Sequence, residues 1–257
     1  MDDSSDCEII LSRDKKINHQ ASYIWFKVKS TQVQMIADRG LEIPDEEKFL
    51  LSYDPRSGEP KRDWEIRTLT QFVEIYTAKA REKEINFNSA LSQVYPDTRN
   101  GINTVVVYLC RQRESTSITA REFTTKFDYY YNRYFVEREG EAKGLNMIFI
   151  SEVSLNKKEK QVEKLHFVNS QFFLTEELVM NPTRHVFYFP HKLLTEEERE
   201  DWLQKNKLRP EQLSIIPKED PIVKYFDWPK GGVVHIQRSE RYLEMPVRDY
   251  PYLRVIK

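Results

Sequence analysis

From Ala21 to Arg39, Ile24, Val28, Val33, Met35 and Ile36 recur at a spacing near that of an α-helix, and Gly40 follows as a helix C-cap does. The pattern predicts a helix over 21–39, preceded by a polar stretch, 1–20, that reads as disordered. Asp54-Pro55, Gly58 and Glu59-Pro60 among clustered charges mark 52–67 as a surface loop, and a second helix is expected over 68–83. Thr104-Val-Val-Val-Tyr-Leu109 is a continuous β-branched run, typical of a strand covered on both faces. Within 118–138, Phe123, Phe127, Tyr130, Tyr131, Tyr134 and Phe135 sit near i, i+3 and i+4 and predict a helix with an aromatic face. A charged turn from Glu137 to Gly144, a buried strand from Leu145 to Ser151 and a short charged helix from Lys157 to Leu165 follow. This alternation describes an α/β domain over about 20–175.

A second unit, 181–257, begins at Asn181-Pro182. Val186-Phe-Tyr-Phe189 reads as a strand ended by Pro190. Thr195 opens a helix running to about Lys205, with Glu198 completing a capping box and Leu203 facing the core. Gly231-Gly232 turns into a strand at Val233–Ile236, and Tyr252–Ile256 is the closing strand. The expected class is α/β (α+β), with helices on a small mixed sheet in each of two domains.

Composition narrows the function. The chain has 257 residues, enough for one large domain or two small ones with proper cores, and is 39% hydrophobic and 32% charged. Formal charge is −1, so no global field draws it to nucleic acid or membrane, and any DNA contact must be local. Only Cys7 and Cys110 are present, in no CxxC pairing, which argues against a disulfide scaffold or zinc ribbon and fits a reducing compartment. The acidic start is the reverse of a signal peptide, and no apolar run approaches the roughly 20 residues of a membrane span. The expectation is a soluble intracellular protein.

Few residues point to chemistry. His185 and His191 lack a third metal ligand nearby in sequence, so packing and hydrogen bonding are the simpler reading. Asp220 before Pro221 is held extended and starts a turn more readily than it serves as a catalytic acid. Tyr225 and Phe226 are anchors of the core or of a subunit contact. Pro96-Asp97 with Glu141-Ala142-Lys143 matches a metal-dependent nuclease pattern, but Gly140 and Gly144 flank the second element and suggest a turn. Lys157, Lys158 and Lys160 read first as a solvated helix face. No phosphate-cradling glycine loop or Ser-His-Asp order is visible, and neither a catalytic group nor a bound metal is expected. Phe187, Phe189, Ile215, Ile216 and Trp228 are among more large apolar residues than a 77-residue core should hold, so some are expected in an interface.

His185, His191, the capped helix, Leu208-Arg209-Pro210-Glu211-Gln212-Leu213, Asp220-Pro221, Lys224-Tyr225-Phe226, Lys230-Gly231-Gly232-Val233-Val234-His235-Ile236 and Arg238-Ser239 occur in that order. In order and spacing this set resembles the fifth, shared subunit of eukaryotic RNA polymerases and its archaeal counterpart. More weakly, Asp38-Arg39-Gly40, the strands at 104–109 and 145–151 and the approach from Leu174 to His185 are similar to the jaw domain of the eukaryotic subunit. The resemblance implies an assembly domain at 181–257 that docks on the largest subunit. Its motif would be His185, His191, Leu213, Asp220, Pro221, Tyr225, Phe226, Gly231, Val233, Val234 and Arg238. It also implies a jaw lining the downstream DNA cleft, where Lys157, Lys158 and Lys160 would meet phosphates weakly and without reading bases. Other core subunits would be partners, no membrane would be, and the polymerase's metal ions would lie in the large subunits, leaving this chain without a cofactor. The implied location is the nucleus, or a virion or cytoplasmic viral factory for a virus-encoded copy. The alternatives are a metal-dependent restriction-like nuclease and a regulatory adaptor that mimics the polymerase component.

The chain departs from the family pattern where Ser214 replaces Pro, Asp227 replaces Gly and His235 replaces Lys. A longer segment without glycine, Glu240 to Pro246, stands where a glycine-rich turn is usual, and insertions fall near 52–66 and 111–144. These mark a divergent copy, from a large DNA virus or an early-branching eukaryote.

Overall fold

The computed structural model describes residues 19–52, 64–97, 101–109, 120–134, 144–154, 168–237 and 252–257. The chain divides into two compact units, Met1–Met180 and Asn181–Lys257.

The N-terminal unit opens with α1, His19–Asp38. Gly40, at φ 79°, ends it: Gly40 N–H donates to Ala37 O at 2.8 Å and Leu41 N–H to Ile36 O at 3.1 Å, closing the last turn as a left-handed cap. A 3₁₀ turn, Asp45–Leu50, leads toward α2, Trp64–Glu82, and α3, Phe87–Leu91. α2 starts four residues before its expected position, and the rest of the expected loop, 53–63, lies outside the described residues.

The sheet comprises β1 Gln93–Tyr95, β2 Asn103–Leu109, β3 Leu145–Ser151 and β4 Val168–Leu174, in the order β1-β2-β3-β4. β1 is antiparallel to β2, while β2, β3 and β4 run parallel. Parallel neighbours require a crossover, and α4, Ala120–Tyr134, lies on the one between β2 and β3. Alternation along the strands sends Val105, Val107, Leu109, Met147 and Phe149 to one face, against Phe123 and Phe127 of α4. Tyr108 points the other way and meets Trp25 of α1, ring centroids 6.0 Å apart. Both faces are covered, which explains the unbroken apolar run of β2. The expected disordered N-terminus (1–18 of it), the turn at 137–143 and the helix at 157–165 lie outside the described residues.

The C-terminal unit holds β5 His191–Leu193, α6 Glu196–Lys205, β6 Ser214–Ile216, α7 Pro221–Phe226, β7 Val233–Ile236 and β8 Tyr252–Ile256. The strand order is β5-β7-β8-β6, antiparallel except for the parallel pair β6 and β8, so both sheets are mixed. Val233 and Leu253 face Leu203 of α6, whereas Val234, Ile236 and Ile256 face Val223 of α7. The Thr195 capping box is formed: its side chain accepts from Glu198 N–H at 3.2 Å, and the Glu198 carboxylate accepts from Thr195 N–H at 3.1 Å. Gly232 enters β7 where a Cβ would meet Leu193 Cδ1 at 2.8 Å and Pro229 O at 3.1 Å.

One expected strand is absent. Residues Val186–Phe189 form a turn and its exit, and the strand begins only at His191. β7 offers four residues, and its register pairs His191 with Ile236 and Leu193 with Val234. That leaves no β7 backbone for 186–189. Instead Tyr188 N–H donates to His185 O at 2.9 Å, and the His185 ring accepts from Phe187 N–H at 3.2 Å. Among the described residues, no helix is long and apolar enough to cross a membrane.

Candidate subunit-docking site

Most of the motif read from the sequence builds the C-terminal unit. Leu213, Val233 and Val234 are core residues, and Gly231 supplies the φ of 85° that its turn requires. Asp220 is extended, as a residue before proline should be, but it opens a helix: its carboxylate accepts from Ile222 N–H at 2.9 Å, with Pro221 in the first turn of α7. Tyr225 is 1% exposed, and its hydroxyl accepts from Asn181 Nδ2 at 3.1 Å. The same Asn181 caps the 3₁₀ turn Pro182–Arg184 by accepting from Thr183 N–H at 2.9 Å. Tyr225 is therefore a core anchor tying α7 to the entry of the unit. Phe226 is half-buried and stacks on Trp228, centroids 4.9 Å apart.

The two histidines are engaged separately. His185 sits exposed beside Phe187, ring centroids 5.7 Å apart, whereas His191 stacks on Tyr188 at 5.8 Å and its Nδ1 bonds to Phe189 O. Among the described residues, no group of three His, Cys, Asp or Glu is placed to hold a metal ion. Arg238, Lys157, Lys158, Lys160, Glu141 and Lys143 lie outside the described residues; Asp97 is half-buried, its carbonyl accepting from Gly101 N–H at 2.9 Å.

The most exposed large apolar side chains of the C-terminal unit lie beside the motif. Val186 is 72% exposed, Phe187 69% and Ile215 52%. Two of these, Phe187 and Ile215, belong to the apolar surplus noted in the sequence; the strand reading of 186–189 gives no sign of Val186.

The departures from the family pattern are accommodated locally. Asp227 ends α7 in the left-handed region, φ 55° and ψ 39°, where glycine is the low-strain residue. Lys218 Nζ bonds both its carboxylate and Trp228 O at 2.8 Å, fixing the cap. Ser214 is the first residue of the edge strand β6, a place that also tolerates proline. His235 lies 5.2 Å from the Trp202 ring; burial, then the charge of Lys192, holds its pKa below the ordinary histidine range.

The N-terminal unit contains a second polar constellation that the sequence did not reveal. Lys29 and Glu47 are both buried, 2.7 Å apart. Lys29 Nζ also donates to Gln32 Oε1 at 2.8 Å, Leu91 O at 2.9 Å and Tyr95 OH at 3.2 Å. Tyr76 OH donates to Glu47 at 2.9 Å, and Tyr95 OH donates to the other Glu47 oxygen. The rings of Tyr76, Tyr95 and Tyr108 lie 5.7–5.9 Å from the ammonium. Desolvation dominates: the pKa of Lys29 falls to about 8 despite Glu47, and burial pushes the three tyrosines well above their ordinary range. The cluster pins the 3₁₀ turn to α1, α2 and β1.

Residues 180–247 match the family model described as RNA polymerase Rpb5, C-terminal domain. The chain is 25% identical over 228 residues to "DNA-directed RNA polymerase V subunit 5A" of Arabidopsis thaliana, covering 89% of this chain and 87% of that protein. It is 38% identical over 76 residues to "DNA-directed RNA polymerase subunit Rpo5" of Pyrococcus horikoshii, 30% of this chain and 88% of that one. With "DNA-directed RNA polymerases I, II, and III subunit RPABC1" of Caenorhabditis elegans it shares 38% over 68 residues, 26% of this chain and only 32% of the nematode protein. The chain belongs to the RNA polymerase subunit 5 family, with the Rpb5 C-terminal domain in its second unit.

Proposed function

We propose that the chain is a non-catalytic structural subunit of a multisubunit DNA-dependent RNA polymerase, docking on the largest subunit through its C-terminal unit and lining the downstream DNA cleft with its N-terminal unit. The archaeal match carries this reading: a protein named as a polymerase subunit is covered over 88% of its length by 76 residues, no more than the C-terminal unit contains. A subunit that is little more than this unit must make its assembly contacts with it. Apolar side chains left in solvent on the unit support a face completed by another protein. Nucleotide addition and its metal ions belong, on this reading, to the large subunits, and this chain holds no cofactor. Family membership favours this function over a nuclease or a regulatory adaptor.

Affinity purification of the full chain from the cells that express it, with quantitative mass spectrometry, is the test. Stoichiometric recovery of both large polymerase subunits is expected. Substoichiometric recovery points to an adaptor, and magnesium-dependent DNA cleavage abolished by Asp97→Ala points to a nuclease. The proposed site of action is the nucleus, or a virion or viral factory if a virus encodes the chain. The DNA contact is proposed at Lys157, Lys158 and Lys160. Replacing all three by Glu should weaken retention of downstream duplex and leave assembly intact; unchanged binding across a salt series removes that contact from the proposal.

A further inference from the structure

We draw no further inference here: the strongest candidate, the exposed aromatic and cationic surface patch on α4 where Arg133 Nη1 donates to Tyr129 OH at 2.6 Å, carries nothing because nothing in the structure shows what covers it.

Discussion

Raising the pH from 7 to 9.5 should strengthen the N-terminal unit, and Lys29→Met should remove most of the gain. Lys29 is fully buried with a pKa near 8, against 10.5 for a free lysine, because loss of hydration outweighs the Glu47 carboxylate beside it. The folded chain therefore releases this proton before the unfolded chain does. Between about pH 8 and 10.5 the unfolded state holds more protons, and stability rises with pH across that window. At about 1.4 kcal/mol per pH unit, the window up to pH 9.5 is worth about 2 kcal/mol. Lys79, also lowered by desolvation, acts in the same direction, and the groups facing the cluster from other elements are Glu46, Tyr76, Tyr95 and Tyr108. The tyrosines have raised pKa values, so they withdraw stability only above about pH 10, where the unfolded hydroxyls ionise first. Urea unfolding in a Trp64→Phe/Trp202→Phe/Trp228→Phe background, followed by emission of the buried Trp25, reads the N-terminal unit alone. The stability difference between Lys29 and Lys29→Met chains should grow by about 2 kcal/mol from pH 7 to 9.5. Removing one member of a buried pair costs about 3–5 kcal/mol by itself, so Lys29→Met/Glu47→Gln, which removes both charges of the pair, serves as a second reference. Parallel pH profiles for all three chains would refute the reasoning.

Three further predictions concern the C-terminal unit and are read from urea midpoints. Tyr225→Phe removes the bond from Asn181 and should cost about 1 kcal/mol, whereas Tyr225→Ala empties a core site and should cost about 3–5 kcal/mol. Equal losses would mean that the ring does not fill the core. Asp227→Gly relieves the left-handed strain but loses the Lys218 ion pair, so it should fall within about 0.5 kcal/mol of neutral, while Asp227→Ala keeps the strain, loses the pair and should cost about 1–2 kcal/mol. An alanine as benign as glycine would contradict the strained cap. Thr195→Ala should cost about 1 kcal/mol through the capping box of α6, and a midpoint that does not move would show that the cap is idle.

What the sequence disclosed and what it hid divide along the range of the interactions. The runs of β2 and β3, the Gly40 cap, the Thr195 box and the Gly231-Gly232 turn are set by residues within a few positions of one another, and each lies where local pattern put it. Val186–Phe189 has the local pattern of a strand too, but a strand needs a partner, and β7 is spent on His191–Leu193. Lys29 looks like an ordinary helix lysine because its ion partner, Glu47, is 18 residues away and the rings of Tyr76, Tyr95 and Tyr108 further still. No spacing rule reaches across such distances.

The same division governs the candidate site. A motif is detectable when its residues keep fixed order and spacing, and the residues that must do so are those that shape the chain: Asp220 as a cap, Gly231 at positive φ, Val233 and Val234 on opposite faces of one strand, Tyr225 under Asn181. Such a motif reports that the domain is present. It does not report which atoms meet a partner, because a side chain whose work is inside the fold is removed from the surface by that work. Tyr225→Ala would therefore lose polymerase association through unfolding, whatever its part in docking. Only positions that the fold leaves outward can separate binding from folding, and Val186, Phe187 and Ile215 stand outside the ordered core of the motif for that reason.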